Sequence, residues 1–143
     1  MTQAPVLTRD EVQNLLEKEF PQTFGENPTF VIEHVGPLSC RLRSVYDARQ
    51  IRPGGTLSGP TVMALADAAI YVAILAAIGP QTLAVTTNLS CNFLRKPEPR
   101  DLLADCRLLK LGKRLAVGEV SVFSEGTTEL VAHATGTYSI PPR

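Results

Sequence analysis

An excess of charge of either sign is missing from this chain, whose 143 residues carry fourteen basic and fourteen acidic side chains and a pI near 6.7. Nucleic acid and anionic membranes attract a broad basic footprint, so neither is expected as a partner. Cysteine is scarce and badly spaced: Cys40, Cys91 and Cys106 are odd in number, far apart and outside any Cys-x-x-Cys or Cys/His pattern. Neither a disulfide framework nor a metal site is supported, and a reducing, cytoplasmic setting is the simplest reading. The two histidines, His34 and His133, sit in strand-like segments without an acid or serine at catalytic spacing. In the opening segment MTQAPVLTRDEVQNLLEKEF, Arg9 and Asp10 stand where a secretion leader needs its apolar stretch, so no leader is expected.

Charge is scarcest over residues 53–94, where Asp67 is the single formally charged side chain, set inside GPTVMALADAAIYVAILAAIG. An ionised carboxylate drawn from water without partners is costly. An acid in this place is therefore either a structural group, satisfied by hydroxyls such as those of Thr61 or Tyr71, or a reagent. Residues 57–83 are long enough to cross a membrane, but they are rich in Ala, Gly and Thr and hold Asp67 near the middle. A carboxylate at the centre of an isolated span costs about 2.5–3.5 kcal/mol, which alanine does not offset as leucine would. No membrane span is expected.

What is present points to one domain over residues 1–143, with an N-terminal helix and lead-in over 1–25 and a core over 26–140. Thr8 with Glu11 three residues on is a capping box, and Val12, Leu15 and Leu16 follow at helical spacing to about Phe20. Residues 29–35 and 38–45 alternate apolar and polar around Gly36-Pro37, the pattern of a hairpin. After the Pro53-Gly54-Gly55 loop, Pro60 opens a helix that Gly79-Pro80 closes. That helix is apolar nearly all round, so protein must enclose it. Strand patterns then cover residues 82–94, 102–111, 114–124 and 129–140, and compact Gly-bearing links predict an antiparallel meander for the last three. The fold class is α+β: a long helix wrapped by a curved antiparallel sheet of about five to six strands.

The string Gly55-Thr56-Leu57-Ser58-Gly59-Pro60, then Asp67 eight residues after Gly59, then Thr86-Thr87-Asn88-Leu89-Ser90-Cys91-Asn92-Phe93-Leu94, resembles the hotdog-fold acyl-CoA thioesterases of the PaaI type. The likeness runs on through Leu111-Gly112-Lys113-Arg114-Leu115-Ala116 and covers roughly residues 45–140. It implies hydrolysis of an acyl-CoA to free acid and coenzyme A, with coenzyme A present only as part of the substrate and no separate cofactor. It also implies a homodimer, or a dimer of dimers, in which two sheets join edge to edge and each active site draws on both subunits. The acid matching Asp67 activates water or attacks the thioester, and the N–H matching Gly59 binds the carbonyl oxygen. Thr86, read on one face with Asn88, Ser90 and Asn92, matches a hydroxyl that positions water. Two residues depart from the pattern: Ser58 stands where the family has His, and Pro60 where it has a second Gly, which removes one N–H at the entrance.

Elementary chemistry supports the same assignments. Thioester hydrolysis needs a base or nucleophile and a donor aimed at the developing oxyanion. Gly59, just before the helix, offers an N–H at its positive end. Arg52 lies where some relatives have an Asn at the thioester. Arg95 and the pair Lys113-Arg114, at strand ends, are candidate contacts for the phosphates of coenzyme A. Cys91 is read as a core residue on the Leu89, Cys91, Phe93 face. A noncatalytic acyl-CoA or lipid-binding module on the same fold is the alternative. A hotdog hydratase or dehydratase is disfavoured, because neither His34 nor His133 has the setting of a catalytic histidine.

Overall fold

Local signals dictate where the first elements begin and end in the computed structural model, which describes residues 4–142. Thr8 caps α1 (Arg9–Glu19): its hydroxyl accepts from the Glu11 N–H at 3.1 Å, and the Glu11 carboxylate accepts from the Thr8 N–H at 3.0 Å. Val12 and Leu16 are thereby set on the buried face of α1. Phe20 ends this helix and Pro21 begins a single further turn, α2 (Pro21–Phe24), in what the sequence reading leaves as lead-in chain. β1 (Phe30–Gly36) and β2 (Ser39–Ser44) form the expected antiparallel hairpin.

The loop around Pro53 is pinned by a two-residue ladder, β3 (Ile51–Arg52) against β4 (Thr56–Leu57), too short to leave a periodic signal. Gly54 and Gly55 turn the chain at φ +102° and +75°, where a side chain would be strained. α3 (Gly59–Ile78) starts one residue before Pro60, with Ser58 as N-cap, and stops at Gly79. By length and composition it could cross a membrane, yet 61% of its most apolar stretch is buried inside the protein.

The sheet encloses it. β5 (Val85–Phe93), β6 (Leu102–Leu111), β7 (Leu115–Ser124) and β8 (Leu130–Ser139) join the hairpin in one antiparallel sheet of six strands, in the order β1-β2-β6-β7-β8-β5. The meander of the last three strands is as expected. α3 crosses it so closely that Gly118 and Gly136, paired across β7 and β8, both lie under Ile70. A Cβ on Gly136 would come within 2.7 Å of Ile70 Cδ1. Gly136→Ala is accordingly expected to lower stability by about 1–3 kcal/mol, the usual cost of overpacking, read as a fall in the thermal midpoint. An unchanged midpoint would show that α3 has room to move away.

β5 is an edge strand, bonded to β8 on one side alone, and it is the least covered strand of the sheet. Phe93 is 52% exposed and Leu83, in the lead-in to β5, is 77% exposed. Its register with β8 slips between Thr86 and Asn88, so Thr87 bulges and the alternation of faces reverses there. This corrects the sequence reading: Thr86 does not share a face with Asn88, Ser90 and Asn92. Paired with Tyr138, it turns toward α3, on the side of Leu89 and Cys91, which pack against the core.

Candidate active site

One stripe of α3 is left uncovered by the sheet, and it carries Ala64, Asp67, Ala68 and Tyr71. A groove of about 730 Å³ runs along it, walled by Phe20 and Thr23 from the N-terminal helices on one side and by Val85 and Thr86 on the other. Asp67 lies in this groove, half-buried. Thr86 Oγ1 donates to its Oδ1 at 2.7 Å, and the Tyr138 hydroxyl lies 3.0 Å from the same oxygen and 2.9 Å from the Asp67 main-chain oxygen. The carboxylate thus has donors suited to its charged form. Asp67 Oδ2 has no hydrogen-bond partner among the described residues.

Thr61 and Tyr71, weighed from sequence as structural partners of Asp67, are engaged elsewhere. The Thr61 hydroxyl lies 2.9 Å from Ser58 Oγ, and the Tyr71 hydroxyl donates to the Thr82 carbonyl at 2.8 Å. Tyr71 stacks on Tyr138 with ring centres 6.1 Å apart. Burial, and then the negative charge of Glu19, push the Tyr71 hydroxyl above its usual range. Burial pushes the Tyr138 hydroxyl much further up; the neighbouring Thr86 hydroxyl opposes this and the Asp67 charge adds to it. Tyr138 therefore remains a donor at any working pH.

Gly59 lies in a second groove, of about 460 Å³, with Arg52, Phe93 and Arg95. As the first residue of α3 its N–H has no intrahelical acceptor and points from the positive end of the helix. Ser58 serves as the cap, accepting from the Thr61 N–H at 3.3 Å, and Pro60 is the exposed second residue of the helix. Asp67 and Gly59 are eight residues apart on one helix, so about 12 Å separates them along its axis. A single thioester cannot touch both within one subunit.

The basic candidates divide likewise. Arg95, just past the end of β5, pairs with Glu129 at 2.7 Å. Lys113 and Arg114 are exposed in the β6–β7 turn, where Leu115 pairs with Ser139 and Ser139 with Val85 at the start of β5. Arg95 and the Lys113-Arg114 pair thus lie at opposite ends of one strand. Neither histidine lines either groove: His34 is exposed, and His133 lies 3.0 Å from Glu119. Tyr138 was missed from sequence because it lies 71 residues from Asp67 and looks like any aromatic on an inward strand face. Phe20 and Thr23 were missed because the second helical turn was.

A long helix wrapped by one curved antiparallel sheet, with a lone acid on its uncovered stripe, defines a hotdog-fold protein. The sequence model of the thioesterase superfamily matches residues 54–131, more than half of the chain, and the chain belongs to that family. A crystal structure from Silicibacter sp. TM1040, described as a candidate thioesterase, is 48% identical and superposes with a TM-score of 0.88, covering 99% of this chain and 97% of its own. A variant of the phenylacetic acid degradation protein PaaI from Thermus thermophilus is 28% identical with a TM-score of 0.68, over 78% of this chain and 93% of its own. A protein of Saccharolobus solfataricus named as a candidate esterase is 29% identical, over 95% of this chain and 87% of its own. Family and relatives support thioester hydrolysis as the general activity.

Proposed function

We propose that this protein is a cytoplasmic acyl-CoA thioesterase that works as a homodimer, alone or within a dimer of dimers, with no cofactor beyond the coenzyme A of its substrate. The observation that carries the reading is the anchored carboxylate of Asp67, held at Oδ1 by Thr86 and open at Oδ2 toward a groove large enough for an acyl group. Asp67 either takes the proton of a water that attacks the carbonyl carbon or attacks that carbon itself. In both routes the negative charge grows on the carbonyl oxygen, which a Gly59 N–H stabilises. The C–S bond then breaks and the thiolate of coenzyme A leaves and is protonated; in the first route the free acid is released directly, and in the second a water cleaves the acyl–Asp67 anhydride, giving the free acid and restoring the carboxylate.

Two halves of the site lie on each subunit, and the edge strand supplies a way to unite them. Thr86, at the start of β5, touches Asp67; Phe93, at its end, lies beside Gly59, where a Cβ would meet its ring at 3.6 Å. Two β5 edges paired antiparallel about a two-fold axis set the start of one strand against the end of the other. Asp67 then meets the partner's Gly59, and Lys113 and Arg114 come to the same end as the partner's Arg95. These cations and Arg52 suit the phosphates of coenzyme A. Pairing also covers the open backbone edge and the exposed Phe93 and Val85.

The noncatalytic alternative draws on the entrance, where the Ser58 hydroxyl is engaged as a cap and Pro60 lacks an N–H. A hydrolysis screen over short, long and aromatic acyl-CoAs separates the two. Free thiol released from at least one of them is the expected result. Saturable acyl-CoA binding without any thiol release would sink the enzyme reading in favour of a binding module.

A further inference from the structure

The two oxygens of the Asp67 carboxylate are treated differently by the protein, and resting on the thioesterase reading of this site, we propose that Tyr138 is a positioning residue. It anchors Oδ1 and leaves Oδ2 as the oxygen that meets water or the thioester. Thr86 and Tyr138 both reach Oδ1, at 2.7 and 3.0 Å, and among the described residues no donor reaches Oδ2. A carboxylate held by one oxygen through two hydroxyls, on two adjacent strands, cannot swing its second oxygen freely.

Tyr138 is suited to this by its own restraint. It is 4% exposed, its ring stacks on Tyr71, and the Tyr71 hydroxyl is tied to the Thr82 carbonyl at 2.8 Å. Its single proton has two acceptors in reach: Asp67 Oδ1 and, at 2.9 Å, the Asp67 main-chain oxygen. While the carboxylate is charged, the charge-assisted bond to Oδ1 is the stronger. Once Oδ2 has taken a proton, the hydroxyl can turn to the main-chain oxygen without any movement of the ring. A buried hydroxyl that lost its acceptor during turnover would raise the barrier; this one has an acceptor in both charge states. The other titratable groups lining the groove are Tyr71 on α3 and Glu19 at the end of α1.

Tyr138→Phe removes the hydroxyl and keeps the stacked ring. Its kcat for the best acyl-CoA is expected to fall roughly ten- to a hundredfold with KM within about twofold, as for loss of a hydrogen bond to a charged group. A folded variant with unchanged kcat overturns the role. Should Tyr138→Phe fail to fold, 3-fluorotyrosine placed at position 138 is a stronger donor of the same shape. Its kcat should differ from wild type by at least a few-fold with KM unchanged, and a kcat equal to wild type overturns the proposal equally. Asp67→Asn, run beside these, separates the two levels. If it is inactive while the Tyr138 variants behave as wild type, only the role of Tyr138 falls; if it is fully active, the thioesterase reading of the site falls with it.

Discussion

Asp67→Asn is expected to lower kcat for acyl-CoA hydrolysis by roughly a hundred- to ten-thousandfold, the range over which a positioned base or nucleophile contributes. The thermal midpoint should hardly move. Asn keeps the shape of Asp and an acceptor oxygen at the Oδ1 position, so Thr86 and Tyr138 retain their partner. The new amide nitrogen takes the place of Oδ2, which faces an open groove and leaves no buried donor unpaired. What is lost is the ability to accept a proton or form an acyl intermediate. Steady-state kinetics on the best substrate of the acyl-CoA screen, with melting curves alongside, measure both effects. Activity within a few-fold of wild type in a folded variant would remove Asp67 from the chemistry and return it to the structural role that its hydroxyl partners also satisfy.

Subunit mixing should restore activity to two inactive variants. Gly59→Pro deletes the N–H from the first residue of α3, a place where proline suits the helix, and should cost roughly a hundred- to a thousandfold in kcat. Within one subunit Gly59 and Asp67 are too far apart to share a carbonyl group. In a dimer joined along β5, each site takes Asp67 from one chain and Gly59 from the other. A mixed dimer of Asp67→Asn with Gly59→Pro then has one site with both groups altered and one with both intact. Random exchange in equal amounts should recover about a quarter of wild-type activity, because half of the dimers are mixed and half of their sites are whole. Recovery that appears only after the chains are unfolded and refolded together would fit a tightly held dimer. Mixtures that stay as inactive as their parents after full exchange would place both groups in one chain or remove Gly59 from the site.

The element order was legible before the structure because its signals are local. The Thr8–Glu11 capping box, the Gly36-Pro37 turn, Pro60 and Gly79 at the ends of the apolar helix, and the Gly-bearing links of the meander each act within a few residues. The two-residue ladder β3–β4 and the single turn α2 escaped notice because neither spans a full period of its own pattern. Asp67 stood out for a compositional reason, as the one charge in a long apolar stretch. Thr86 was picked out as its companion, but on a face to which it does not belong: strict alternation groups it with Asn88, and a bulge at Thr87, set by pairing with β8, reverses the count.

Sequence alone determined the long enclosed helix, the sheet that must enclose it, and the acid that such a helix would not carry without partners. Tertiary structure decided how that acid is held. Tyr138 reaches it from the last strand, 71 residues away, and Thr86 from the position paired with it on the neighbouring edge strand β5. It also decided that Asp67 and Gly59 open into separate grooves. Hydrophobic period and capping are written in neighbouring residues, whereas strand register, bulges and the uncovered stripe of a helix arise from contacts between distant ones.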